Sequence, residues 1–151
     1  MTGRIPDIRF FDFEFRLLHV ENRFLSSNWN VYYNDIGNFE AHFDLSSDVL
    51  PVIMENHFMI AVQGNHAAVV VGKSLGDDIT VYGRTCNWLL TKRVTNAFVE
   101  NGSRTLFEVV SQKVKEAFPE AEVVIADPVS TSFVSAEQSD KCEAFEVVQA
   151  L

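Results

Sequence analysis

His19, His42, His57 and His66, with Cys86, Cys142 and the adjacent Asp77 and Asp78, are the side chains whose chemistry could go beyond packing. The histidines are scattered. His42 falls on the polar face of an alternating stretch. His57 and His66 flank a Gly64-Asn65 turn that would set them near each other across a hairpin. Two imidazoles make an incomplete zinc site, which takes three or four protein ligands; no metal and no other cofactor is expected. Cys86 and Cys142 show no CxxC spacing. Two reduced thiols, at least one of them buried, are a simpler reading than a disulfide or a nucleophile. Asp77 and Asp78 lie in a turn-forming run and read as solvated residues rather than an acid–base dyad. The GxGxxG, Walker A, HExxH and GxSxG patterns do not occur in the sequence. The chain is therefore read as a non-enzyme, whose function comes from assembly.

The elements that would position these residues are mostly strands. In NWNVYYNDIGNFEAHFDL, residues 28–45, Trp29, Val31 and Tyr33 alternate with polar residues and with Tyr32, and Phe39, Ala41, Phe43 and Leu45 alternate with Glu40, His42 and Asp44. A side-chain period of two puts each set on one face of a strand. Asn34 to Asn38 supplies turn residues that tolerate positive φ. Residues 8–20, IRFFDFEFRLLHV, read as a strand or short hairpin. Residues 46–56 read as a short helix, capped by Ser46 or Ser47, favoured by Asp48 and tolerant of Pro51 in its first turn.

Three closely spaced strands follow: residues 57–63, 66–73 and 79–84. The first two lack a polar face, which predicts cover on both sides or a place in an interface. The segment RTCNWLLTKRV, residues 84–94, reads as a core strand running out to a basic end, or alternatively as a partner-binding edge. Residues 96–102 read as a loop. A helix is predicted from Ser103 to Pro119, with Leu106, Val109, Val110, Val114 and Phe118 on one face and Glu108, Gln112, Lys113, Lys115 and Glu116 on the other. Residues 121–127 predict a strand, 128–140 a loop with at most one short strand, and CEAFEVVQAL a second helix capped by Asp140. The sequence stops inside that stripe, which suggests a truncated product or a helix end docked on a partner.

The predicted class is mainly β with an α+β C-terminal part. Residues 1–95 form a small antiparallel β-barrel or bent sandwich, and residues 96–151 start a second, incomplete β-α module. The 47% hydrophobic content, with 13 Phe, is ample for a core. No apolar run is long enough for a membrane-spanning helix, and the N-terminus lacks a signal peptide's continuous apolar stretch. The net charge is −9. Residues 1–95 carry 8 Lys/Arg against 11 Asp/Glu, and residues 96–151 carry 4 against 10. Specific nucleic-acid binding needs clustered cations; an acidic wall would instead let DNA pass without sticking.

The order IRFFDFEFRLL, SNWNVYYNDIGNFEAHFDL, LPVIMENHFMIAVQGNHAAVVVGK, ITVYGRTCNWLLTKRV resembles the N-terminal part of a tail-hub (minor tail, baseplate) protein family of siphoviruses and prophages of Gram-positive bacteria. The later TLFEVVSQKVKEAF resembles the start of the family's next module. The resemblance implies a β-barrel repeated as a ring, typically a trimer, that closes the tail tube and links it to baseplate or host-binding parts. It places the protein at the virion tail tip, made in the bacterial host cytoplasm, without membrane insertion. Family members are usually much longer than this chain.

Within that frame Trp29, Tyr32, Arg84, Trp88, Leu89, Lys92 and Arg93 are the candidate interface residues, for contacts with further copies and other tail proteins. The alternative is a small-molecule-binding β-barrel with an aromatic lining. A hydrolase acting on the host envelope is a third reading, disfavoured by the missing motifs.

Overall fold

The computed structural model describes residues 5–95, 98–119, 133–138 and 142–143. The chain divides into two units, Met1–Cys86 and Asn87–Leu151.

The first unit is a seven-stranded antiparallel sheet curled into a half-barrel. Its strands are β1 (Ile8–Phe11), β2 (Leu17–Glu21), β3 (Ser26–Asn30), β4 (Asn38–Phe43), β5 (Met59–Gln63), β6 (His66–Leu75) and β7 (Ile79–Thr85), in the spatial order β2-β1-β5-β6-β7-β4-β3. Alternation decides the faces. Ile8 and Phe10 of β1, Phe39, Ala41 and Phe43 of β4, and Ile79 and Val81 of β7 all turn inward and are buried. The helix α1 (Val49–Glu55) lays Val49 and Ile53 onto them. Inside the curl these side chains pack against one another as one buried cluster. The Ser47 hydroxyl accepts the Val49 N–H at 3.2 Å, and the Lys73 ammonium donates to the Ile53 carbonyl near the other end of α1.

One side chain reaches across the curl from its edge. Trp29 sits on edge strand β3, and its indole Nε1–H donates to Gln63 Oε1 of β5 at 2.7 Å. Gln63 is 5% exposed, and its amide in turn donates to the Pro6 carbonyl at 2.9 Å. The Trp29 ring packs on Phe39 and His66, with centroids 4.3 and 5.5 Å away.

Several expectations are corrected. Strand β3 ends at Asn30, so Val31, Tyr32 and Tyr33 are exposed in the loop to β4 rather than split between two faces. Gly37 does not supply a positive φ; it is needed because a Cβ there would lie 2.1 Å from the Asn30 carbonyl oxygen. His57 and His66 are not cross-strand neighbours. Gln63 pairs with His66 and Met59 with Val70, so the two histidines lie toward opposite ends of the hairpin. Gly64 makes its turn at φ 58°.

Residues 84–94 are not one strand. β7 stops at Thr85, and Cys86–Lys92 is a 3-10 helix with no fully buried residue. Short-range i→i+3 bonding suits a chain leaving a sheet at its end.

The second unit is a small α+β assembly. β8 (Val94–Thr95) pairs with β11 (Cys142–Glu143), and β9 (Phe98–Thr105) pairs with β10 (Phe133–Gln138). Residues 98–102 are thus strand rather than loop, and the run beginning at Cys142 starts as a strand. The predicted strand at 121–127 and the remainder of the C-terminal run lie outside the described residues. Helix α2 (Leu106–Ala117) starts later than Ser103, because Thr105 and Glu108 form a reciprocal capping box. Lys113 belongs to its buried stripe with Val109 and Ala117, four residues to either side. It is 2% exposed, and its ammonium is held by both oxygens of Glu116 at 3.1 and 3.0 Å. No described helix is long and apolar enough to cross a membrane.

Candidate functional site

The surface of the first unit carries large side chains that the fold leaves uncovered. One group forms the end where β1 turns into β2. Pairing of Phe11 with both Leu17 and Ile60 brings that turn beside the segment entering β5. Phe13, Phe15, Leu17 and Phe58 are all exposed there, and Phe13 meets Phe58 edge-on at 6.1 Å. The turn is rigidly built. Asp12 Oδ1 accepts the backbone N–H groups of Glu14 and Arg16, each at 2.9 Å, and its other oxygen takes the Arg16 Nε–H at 2.8 Å. These hydrogen bonds pull the Asp12 carboxyl below the usual carboxylate range. Phe15 sits at φ 59°, a conformation that bulky residues rarely adopt, and is 76% exposed.

A second group lies at the opposite end. Val31, Tyr32 and Tyr33 follow β3, and all three are exposed. Contiguous apolar patches of this kind mark interaction surfaces.

The seven candidate interface residues separate. In the first unit, Trp29 is engaged inside the curl. Tyr32 stands in the exposed β3–β4 loop, and Arg84 is exposed on the outer face of β7, opposite Asn38. In the second unit, Trp88 and Leu89 are half-buried on the 3-10 helix. Lys92 caps the Trp88 ring at 4.1 Å from its centroid, and Arg93 lies 5.8 Å from the Phe118 ring. Both cations are exposed. Sequence reasoning passed over Phe13, Phe15 and Phe58. The available signal was the density of Phe around Asp12 and Glu14, which alternation alone could not assign to an outward turn.

The outer face of β3, β4 and β7 also holds a charged clamp. His42 Nδ1 is 2.7 Å from Asp78 Oδ2 and Nε2 is 2.9 Å from Glu40 Oε1, with Thr80 Oγ1 3.3 Å from Nδ1. A neutral imidazole has one N–H and can donate to one carboxylate only; the imidazolium donates to both. The hydrogen bonds that His42 donates to Glu40 and then to Asp78 accordingly raise the His42 pKa, and the His42 partner lowers that of Asp78. Asp44 just past the end of β4, Asp77 in the turn before β7 and Ser26 opposite on β3 complete the surroundings.

A raised folded-state pKa contributes stability that is fully present below the unfolded value of 6.5 and is lost as pH rises through the folded value. His42→Gln should therefore destabilise the protein more at about pH 6 than at about pH 9. Urea unfolding at the two pH values checks this. An equal loss at both would show that the clamp does not act through its charge.

Cys86 carries a free, half-buried thiol, and burial pushes its pKa up, away from the reactive thiolate.

The sequence matches no family profile and no curated protein. The structure is similar to the crystal structure of prophage tail protein gp18 from Listeria monocytogenes EGD-e, with a TM-score of 0.64 at 16% identity. The likeness covers 95% of this chain and 44% of that one, so the chain spans less than half of that neighbour's length. This chain shares its fold with part of that prophage tail protein.

Proposed function

We propose that the chain is a structural component of a phage or prophage tail tip, a hub protein that closes the tail tube and links it to baseplate or host-binding parts. The observation that carries this reading is the fold likeness to a prophage tail protein along nearly the whole chain. The exposed apolar ends of the half-barrel support it, because a ring of copies would cover them. In this role residues 1–95 act as the hub barrel and residues 96–151 as the opening of a second module. The protein works without catalysis, as a ring of three copies, and meets other tail proteins at the virion tail tip after synthesis in the host cytoplasm. Its acidic surface, net −9, suits DNA passage rather than DNA binding.

Light scattering over a range of concentrations tests the ring. A trimer is expected; a strict monomer at every concentration counts against self-assembly by this chain. Trp88→Ala then separates roles for the 3-10 helix. Loss of the trimer places Trp88 in the interface, whereas intact assembly with earlier melting makes it a packing residue.

A further inference from the structure

The outer face of β3, β4 and β7 carries a depression that a plain sheet would lack. Strand β6 has a bulge between Val70 and Gly72, which throws Val71 outward and leaves Gly72 facing Tyr82. Gly72 has no side chain to fill that spot. A Cβ there would come within 2.3 Å of Tyr82 Cζ, so the ring lies down over the glycine. Bulges of this kind re-aim side chains beside functional sites. The outcome is a hollow of about 360 Å³ bordered by Tyr82, Arg84, Asn28, Asn30, Asn38 and Glu40. That volume falls at the small end of ligand sites, which span about 300–1,000 Å³.

The chemistry of the hollow is specific. Tyr82 is 44% exposed and presents an aromatic surface fixed from beneath by Gly72. Three carboxamides stand at successive paired positions, Asn28 opposite Glu40 and Asn30 opposite Asn38, with Asn38 also opposite Arg84. Each carboxamide offers both donors and an acceptor. Among the described residues, the side chains of Asn28, Asn30, Asn38 and Arg84 make no hydrogen bond to the protein. Glu40 Oε1 is held by His42, which aims the carboxylate and leaves its second oxygen to accept. Arg84 and Glu40 balance in charge without pairing to each other.

We propose that this hollow binds a neutral saccharide. The sugar's C–H face stacks on Tyr82, and its hydroxyls, each donor and acceptor at once, exchange hydrogen bonds with the asparagines, Glu40 and Arg84. A phosphate or carboxylate ligand would face three uncharged amides and the Glu40 carboxylate with one cation to hold it. An apolar ligand would strand the polar groups. This inference does not depend on the hub reading, and the mass measurement and the binding measurement fail separately.

The test is amide chemical-shift mapping on the ¹⁵N-labelled full chain. The probes are methyl β-glucopyranoside, methyl α-galactopyranoside, N-acetylglucosamine and its linear tetramer, with glucuronic acid as the anionic control, each to about 10 mM, where weak ligands approach saturation. The expected result is a set of shifts confined to residues around Tyr82, Asn38 and Asn28 with at least one neutral probe. Tyr82→Ala should weaken binding by about tenfold or more. Asn38→Ala, at an exposed position with no partner to lose, should weaken it while leaving the folded spectrum intact. No shifts with any neutral probe, shifts mapping elsewhere, or shifts with glucuronic acid alone would each overturn the proposal.

Discussion

Replacing Phe10 with alanine should lower the free energy of unfolding by about 3–5 kcal/mol, the range for a large aromatic truncated in a close-packed core. Phe10 is fully buried on β1, between β2 and β5, and its ring meets Phe43 of β4 with centroids 6.1 Å apart at 59°. The substitution opens a void between strands far apart in the sheet, and neither strand can move in to fill it while its own ladder holds. Phe15→Ala, only four residues beyond β1, should change stability by no more than about 0.5 kcal/mol, because that ring is mostly in water. Urea unfolding followed by tryptophan fluorescence and by circular dichroism measures both. Similar losses for the two variants would refute the assignment of inner and outer faces. If light scattering finds the proposed trimer, its loss with Phe15→Ala at unchanged monomer stability would place the aromatic end in the interface between copies.

Trp29→Phe should cost about 1–3 kcal/mol even though a ring is retained, since Gln63 Oε1 loses its donor while staying buried. Trp29→Ala should cost more, because the packing on Phe39 and His66 goes as well. The coupling between Trp29 and Gln63 is the informative quantity. In a double-mutant cycle with Gln63→Leu, the second substitution should cost much less once the first is made, because the pair shares one hydrogen bond. Additive losses would mean that Trp29 stabilises edge strand β3 locally and that the Trp29–Gln63 bond does not tie β3 to β5 across the curl.

The contrast between these residues shows what a one-dimensional pattern can resolve. Phe39, Ala41 and Phe43 were legible as an inward face because alternation is a property of the strand itself. The same rule put Val31 and Tyr33 on one strand face with Trp29, and failed, because nothing local says that pairing stops at Asn30. The Gly64 hairpin was legible because a two-residue turn has strict backbone demands. The turn run from Asn34 to Asn38 was legible as a turn, but not why it needs Gly37: the close approach of the Asn30 carbonyl comes from a loop closing on itself. Lys113 read as solvated by type, yet its spacing from Val109 and Ala117 puts it on the buried line of α2. A carboxylate one turn away at Glu116 makes that burial tolerable.

By itself the sequence determined the class: a mainly β first unit with antiparallel neighbours joined by short turns, α1 between β4 and β5, and an amphipathic helix in the second unit that ends before Pro119. These follow from side-chain period, turn chemistry and capping, all of which act within a few residues. Tertiary structure alone decided the rest. The Trp29–Gln63 bond joins residues 34 apart in the chain, and it exists because the sheet curls. The aromatic end forms because two register pairs of Phe11 bring separate segments together. The hollow under Tyr82 forms because a bulge in β6 sets a glycine opposite a tyrosine on β7. Each of these depends on the register between strands. Register is fixed by the summed packing of the whole sheet, and no local stretch of residues contains it.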